Sequence, residues 1–263
     1  MNYYLHKYKT NLIVILTMIA AVNVNLWMDP DHHFDAHRGI LIFYEQFSYN
    51  RYLLPVTLYL LLLPSFGAMK YYEYHEDYFD RQIMVRLGRI KYDVLSCIHS
   101  AAEAMITNIV MQIMILATIH LFWSDAAFAD GHGMFQLVSE NMAENFKWYL
   151  ICSNAGVGLF SVFLYFCIPV FKNKYVYRCF PLLLTLGCVL AAVLIFPLLT
   201  VVSLLGKFSV SVLIQNLNPL GLITPGIMTE SDLFLSFFSA SFLFVLLTAV
   251  MAGIYIMLRR DDV

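Results

Sequence analysis

The sequence predicts an all-α membrane protein whose helices cross the bilayer several times. Hydrophobic residues make up 60% of the 263 residues and charged residues only 13%, and the mean hydropathy is +0.71. Soluble domains carry about 25% charged residues. A bilayer core of ~30 Å requires about 20 apolar helical residues for each crossing, and backbone groups in lipid must pair within the segment. Six apolar stretches meet this description: 12–27, 53–69, 98–123, 149–171, 179–205 and 233–258.

The six stretches and their connections use most of the chain. We therefore expect one membrane domain over residues 1–263, without a separate soluble enzyme domain. No small-x-small cleavage site follows the first stretch, which predicts a retained first helix rather than a removed signal peptide.

The basic residues predict the orientation of the spans. If the N-terminus is cytoplasmic, 12 of the 16 Lys and Arg residues fall on the inner side. Cytoplasmic connections are enriched in Lys and Arg, so both termini are predicted to be cytoplasmic. Four basic residues remain for the outer side: Arg38, Arg51, Lys147 and Lys207.

The connection between the fifth and sixth stretches, 206–232, is apolar but too short to span. Asn218-Pro219 and Thr224-Pro225-Gly226 interrupt it. Such a segment is typical of a re-entrant or interfacial element on the outer face. The alternative is a loop packed as a lid over the outer helix ends.

The inner connection between the second and third stretches is predicted to contain an amphipathic helix. Apolar residues recur with gaps of three and four, which places them on one side of a helix; they are Phe79, Ile83, Leu87, Ile90 and Val94. One interpretation is a helix lying on anionic lipid. The other is a docking element for a cytoplasmic partner, which five nearby carboxylates favour: Glu73, Glu76, Asp77, Asp80 and Asp93.

Glu103 is the ionisable residue that most needs an explanation within a span. His99, Glu103 and Thr107 follow one another at intervals of four and therefore share a helix face. This face is a candidate intramembrane polar site, either lining a polar pathway or anchoring the amphipathic helix. The alternative is that Glu103 pairs locally with His99, Arg89 or Lys91 near the cytoplasmic interface.

The sequence lacks the motifs of several kinds of binding and catalytic site. The chain has no P-loop, no H-E-x-x-H and no G-x-S-x-G. The five cysteines include no C-x-x-C pair and are interpreted as packing residues. The outer-loop residues His32, His33 and His37 match no structural zinc pattern, so no metal site is predicted. Few ionisable residues lie deep in the spans, which disfavours ion-coupled transport.

This architecture resembles the permease subunits of ABC-2-type exporters. The likeness includes six spans with both ends inside, an amphipathic inner segment between spans two and three, and a broken apolar outer segment between spans five and six. The local sequence Val85-Arg86-Leu87-Gly88-Arg89-Ile90-Lys91 resembles small peptide-export and bacteriocin-immunity permeases, such as those of the phenol-soluble modulin exporter.

The resemblance implies a half-transporter of a bacterial plasma membrane. Two permeases, either copies or paralogues, would pair in the lipid bilayer, and cytoplasmic ABC ATPase subunits would bind ATP and Mg²⁺. This chain would have no ATPase site or cofactor of its own and no nucleic-acid partner. The cargo would be an amphipathic peptide or another hydrophobic molecule, moved outward for secretion or self-protection. The implied coupling positions are Phe79, Arg81, Ile83, Arg86, Leu87, Arg89 and Lys91.

Two other classes of function remain open from the residues alone. One is an intramembrane enzyme, a protease or lipid transferase, built on Glu103 with His99 or His120. Ala102-Glu103-Ala104 lacks the paired glutamates that a CAAX-type protease requires. The other is a membrane sensor or assembly subunit that transports nothing.

Overall fold

A computed structural model of the chain describes residues 2–28, 39–48, 53–126, 141–201, 216–226 and 233–258. Its regular elements within those ranges are all helical, as the sequence predicts. The helices are α1 (Asn2–Met28), α2 (Gly39–Gln46), α3 (Leu53–Leu62), α4 (Met69–Glu76), α5 (Phe79–Leu87), α6 (Arg89–Phe122), α7 (Met142–Cys167), α8 (Lys174–Val201), α9 (Pro219–Ile223) and α10 (Leu233–Leu258). Short 3₁₀ helices extend α3 over Leu63–Phe66 and α7 over Ile168–Val170.

Five helices in the described part of the chain are long and apolar enough to cross a membrane. A sixth candidate is the pair formed by α3 with its 3₁₀ extension and by α4, which meet at a bend of 53°. These helices agree with the predicted polytopic membrane protein. The sixth predicted span, 233–258, has the bounds of α10.

The second predicted span, 53–69, is wrong as one straight helix. Pro64 lies in the 3₁₀ turn that ends the straight part, and Gly67 follows it. A Cβ on Gly67 would lie 2.2 Å from the carbonyl oxygen of Ser100. The chain therefore passes so close to α6 that only glycine fits, and it leaves this contact in a new direction as α4.

The third predicted span begins earlier than the hydropathy indicates. α6 starts at Arg89, nine residues before the predicted start at 98, and contains 34 residues. Its first turns are polar, so hydropathy alone does not separate them from the preceding segment. At ~1.5 Å per residue, the helix is about 50 Å long, well beyond a ~30 Å hydrocarbon core.

Contacts at the helix ends show that the long helices alternate in direction. At one end, the Tyr72 hydroxyl donates to the carbonyl of Phe171 over 3.1 Å, and the rings of Tyr72 and Tyr177 stack. At the other, the Trp123 indole N–H donates to Asn23 over 2.9 Å. The first end, called the basic end below, carries Lys70, Arg81, Arg86, Arg89, Lys91, Lys172, Lys174 and Arg178.

Candidate functional site

The predicted coupling segment, 79–91, lies at the basic end and is exposed over much of its surface. The expected continuous helix over 79–94 is wrong, because α5 ends at Leu87 and α6 begins at Arg89. Gly88 joins them with φ 82° and ψ 143°, a conformation that is essentially restricted to glycine. In a continuous helix, Gly88 would only be a weak position.

The apolar row of this segment is largely uncovered. Of its members, Ile90 is 80% exposed, and Phe79, Leu87 and Val94 are each more than two-fifths exposed. Val85, which lies outside the row, is 88% exposed. Ile83 is half-buried. Clustered exposed apolar side chains are typical of an interaction surface, and here Phe79 and Leu87 lie on the short helix α5 and Ile90 lies at the start of α6.

Polar and aromatic contacts hold α5 on α4. Asp80 is 1% exposed, and its Oδ2 lies 3.0 Å from Nδ1 of His75. Its Oδ1 accepts a hydrogen bond from the backbone N–H of Arg81 over 2.8 Å. The rings of Tyr74 and Phe79 add an edge contact. The connection itself contains Tyr78 at φ 57°, so both ends of α5 are turns of positive φ.

The four basic coupling residues have different surroundings. The Arg81 guanidinium lies over the ring of Tyr78, 4.7 Å from its centroid, and Arg86 and Lys91 are exposed. Arg89 is half-buried and donates to the backbone carbonyl of Ile256 in α10 over 3.5 Å. The structure thus leaves Arg81, Arg86 and Lys91 on the surface and directs Arg89 toward the bundle.

The predicted face of His99, Glu103 and Thr107 does not form one polar site. Glu103 forms an ion pair with Lys70 of α4, a partner that the sequence analysis missed. The Thr107 hydroxyl accepts from the Asn11 side chain over 3.3 Å, and His99 is exposed. The local partners expected for Glu103 are therefore wrong, and this geometry gives no support to a His99–Glu103 enzyme dyad.

A buried network of amides and hydroxyls lies deeper in the bundle. The Tyr59 hydroxyl donates to Asn108 over 2.7 Å, and the Asn108 amide donates to Asn154 over 2.8 Å. The Asn154 amide donates to Gln112 over 3.1 Å, and the Gln112 amide donates to Ser153 over 3.0 Å. These residues, called the amide network below, connect α3, α6 and α7.

The amide network also holds the segment between α8 and α10. The Ser153 hydroxyl donates to the carbonyl of Ile223, at the end of α9, over 2.6 Å. Ser153 lies 11 residues into α7, or about 16 Å along it at ~1.5 Å per residue. The buried segment 216–226 therefore reaches about halfway along α7 instead of resting on the helix ends.

Local sequence explains how this segment folds so deep. Asn218 caps α9, because its side chain accepts from the N–H of Leu220 over 3.0 Å, and Pro219 begins the helix, where a missing N–H costs little. Gly226 has φ 80° and ends the described turn. The remaining predicted residues of this connection, including 210–214, lie outside the described residues, as do His32, His33 and His37.

An open apolar groove of about 360 Å³ runs along α8. Its lining residues are Phe180, Leu183, Leu184, Gly187, Cys188, Ala191 and Leu217. Leu217 comes from the chain just before α9. The groove therefore follows one face of a predicted span and ends beside the deep segment.

No family model, curated protein or solved structure matches the chain. In the part of the chain that the structure describes, no group of three or more His, Cys, Asp or Glu residues is arranged to hold a metal ion.

Proposed function

We propose that this chain is the membrane subunit of an ATP-driven exporter of the ABC-2 type. The proposal rests on two features of the connections between the long helices. An exposed short helix, α5, lies between the second and third spans at the basic end, and a deep, capped helical segment, 216–226, lies between the fifth and sixth. The first suits a cytoplasmic partner and the second suits an outer gate.

The basic end is proposed to face the cytoplasm. Lys and Arg are enriched in the cytoplasmic connections of membrane proteins, and eight of the basic residues of the described chain lie at this end. With the α3–α4 pair as one span, six crossings return the chain to its starting side. Segment 216–226 then enters the membrane from outside and is re-entrant.

The surface of α5 is proposed to dock a cytoplasmic ABC ATPase. It combines the exposed apolar side chains of Val85 and Leu87 with the exposed, positively charged side chain of Arg86. Such a combination suits a protein groove with an apolar floor and acidic rim. Five carboxylates near this helix favour a protein partner over anionic lipid; they are Glu73, Glu76, Asp77, Asp80 and Asp93. ATP and Mg²⁺ would bind to the ATPase.

The cargo is proposed to be an amphipathic peptide or another largely hydrophobic molecule. The groove on α8 is lined by apolar side chains, and a second permease, identical or paralogous, would complete a pathway beside it. A polar solute would require convergent polar groups. The polar groups of the amide network are instead bonded to one another.

Charge reversal on α5 tests the docking proposal. Arg81→Glu with Arg86→Glu changes two surface residues and removes the contact of Arg81 with the Tyr78 ring, so it should alter the free energy of unfolding by no more than about 1 kcal/mol. If both contact an ATPase, the loss should cost about 2–5 kcal/mol of docking. We expect normal insertion, with loss of ATPase co-purification and export.

A matched control lies at the same end of the bundle. Lys172→Glu with Arg178→Glu makes the same change of net charge at two exposed residues outside α5. This control should retain the ATPase. Equal loss of the ATPase in both double variants would attribute the effect to total charge and contradict docking on α5.

A further inference from the structure

Asp93 occupies an unusual place between the coupling segment and the bundle. It lies on the first turns of α6, five residues after the Gly88 junction with α5. Its Oδ1 accepts hydrogen bonds from two tyrosines, Tyr165 of α7 and Tyr255 of α10, each over 2.8 Å. The two hydroxyl oxygens are 3.2 Å apart. One carboxylate oxygen therefore joins three long helices.

The two tyrosines of this cluster are buried and packed against other rings. Tyr165 is 2% exposed and Tyr255 is 1% exposed, and their rings contact each other with centroids 5.7 Å apart. Tyr71 of α4 packs edge-on against Tyr165. One turn before Asp93, Arg89 reaches the carbonyl of Ile256, the neighbour of Tyr255. The start of α6 is thus bonded to the end of α10 at two successive turns.

We propose that Asp93 is a positioning residue that transmits movement of the coupling segment to α7 and α10. The inference rests on the proposed function. Hydrogen bonds to a charged acceptor are about twice as strong as neutral ones, and separation would leave the partly buried Asp93 carboxylate without two of its donors. A displacement of α5 that moves the start of α6 therefore carries Tyr165 and Tyr255 with it.

Substitutions of Asp93 and Tyr255 distinguish a positioning role from simple packing. Asp93→Ala removes the shared acceptor, whereas Asp93→Asn keeps an oxygen that accepts from both hydroxyls but removes the charge. Tyr255→Phe leaves the ring and removes one of the two donors. If the cluster serves only to fill space, Tyr255→Phe, which keeps the ring, should behave like the unchanged chain.

The test uses the complex of the chain with its ATPase. Spin labels are placed at Met257 of α10 and Tyr175 of α8, which are 64% and 68% exposed, in a chain whose native cysteines are replaced by serine or alanine. The distance between the labels is measured without nucleotide and after trapping with ATP and vanadate. Transport per ATP hydrolysed is measured in vesicles with an amphipathic helical peptide as probe.

In the unchanged complex, trapping should alter the distance between the labels. With Asp93→Ala, the ATPase should still co-purify, but the change in distance should be lost and transport per ATP should fall at least fivefold. Tyr255→Phe should give a smaller loss in the same direction, and Asp93→Asn should restore much of the response.

Two outcomes would overturn the inference. A change in distance that persists unaltered in Asp93→Ala would show that α10 responds by another route. Equal losses of thermal stability, ATPase binding and response in all three variants would assign the cluster to folding alone. Failure of the unchanged chain to bind any ATPase is a different result, because it contradicts the proposed function itself.

Discussion

The backbone of Leu222 in α9 lies directly against Gly156 of α7. A Cβ on Gly156 would be 2.1 Å from the carbonyl oxygen of Leu222 and 2.9 Å from its carbonyl carbon. No larger residue fits at this position without movement of α9 or α7. One turn earlier on α7, Ser153 donates to the carbonyl of Ile223. The absence of a side chain at Gly156 and the hydrogen bond from Ser153 together set how far segment 216–226 enters the bundle.

Gly156→Ala should destabilise the protein and displace α9. Overpacking of a tight contact costs about 1–3 kcal/mol, and backbone atoms cannot move aside as a flexible side chain can. The free energy of unfolding in detergent should fall by this amount. Gly253→Ala is the matched control, because its Cβ would meet nothing within 4 Å, and it should be neutral or slightly stabilising. Equal effects of both substitutions would contradict the close approach.

The amide network should show energetic coupling between its members. Tyr59→Phe leaves Asn108 Oδ1 without the donor that lies 2.7 Å away. Hydrogen bonds between membrane helices contribute about 0.6–2 kcal/mol. A double-mutant cycle with Asn108→Leu should therefore give a coupling free energy in that range. Strict additivity of the two single substitutions would show that this hydrogen bond contributes nothing.

Gly88→Ala should change the orientation of α5, and therefore ATPase binding, more than it changes the thermal stability of the protein. Non-glycine residues at φ 82°, ψ 143° are strained by about 1–3 kcal/mol, although a Cβ there meets nothing within 4 Å. Reorientation of α5 relieves this strain, so ATPase co-purification should decrease strongly while the melting temperature changes little. Gly187→Ala, which is also sterically free, should retain the ATPase. Normal binding by Gly88→Ala would show that the orientation of α5 does not matter.

The two ends of the bundle should react from opposite sides of the membrane. Val85, on α5, is 88% exposed, and Asp125, just after α6, is exposed at the other end. In a chain without native cysteines, Asp125→Cys should react with a membrane-impermeant maleimide in intact cells. Val85→Cys should react only after the membrane is opened. Labelling of Val85→Cys from outside would invert the topology.

The extent of the apolar helices could be predicted from sequence where hydropathy changes sharply. The last span, Leu233–Leu258, is uniformly apolar between polar flanks, and its predicted bounds are those of the structure. The bend after Phe66 could not be located in this way, because Gly67 is required by its contact with Ser100, which is 33 residues away in the chain. A single glycine in an apolar stretch does not show which backbone approaches it.

Features that depend on neighbours in the sequence were again predictable, whereas contacts between distant residues were not. The gaps between Phe79, Ile83 and Leu87 predict the helix of α5, because the period is local. The partner of Glu103 is Lys70, across the bend in the second span, whereas local spacing favoured Arg89, Lys91 or His99. Asn108 and Gln112 of α6 join Asn154 of α7 by hydrogen bonds. Their connection to Ile223 depends on a fold that hydropathy does not specify.

Reconstitution with the ATPase tests the central proposal most directly. The purified chain alone should hydrolyse no ATP, because it lacks a P-loop. After co-expression with its partner ABC ATPase, the two should purify together and hydrolyse ATP, and Arg81→Glu with Arg86→Glu should abolish both properties. ATP hydrolysis by the isolated chain, or failure of the unchanged chain to bind the ATPase, would contradict the half-transporter account.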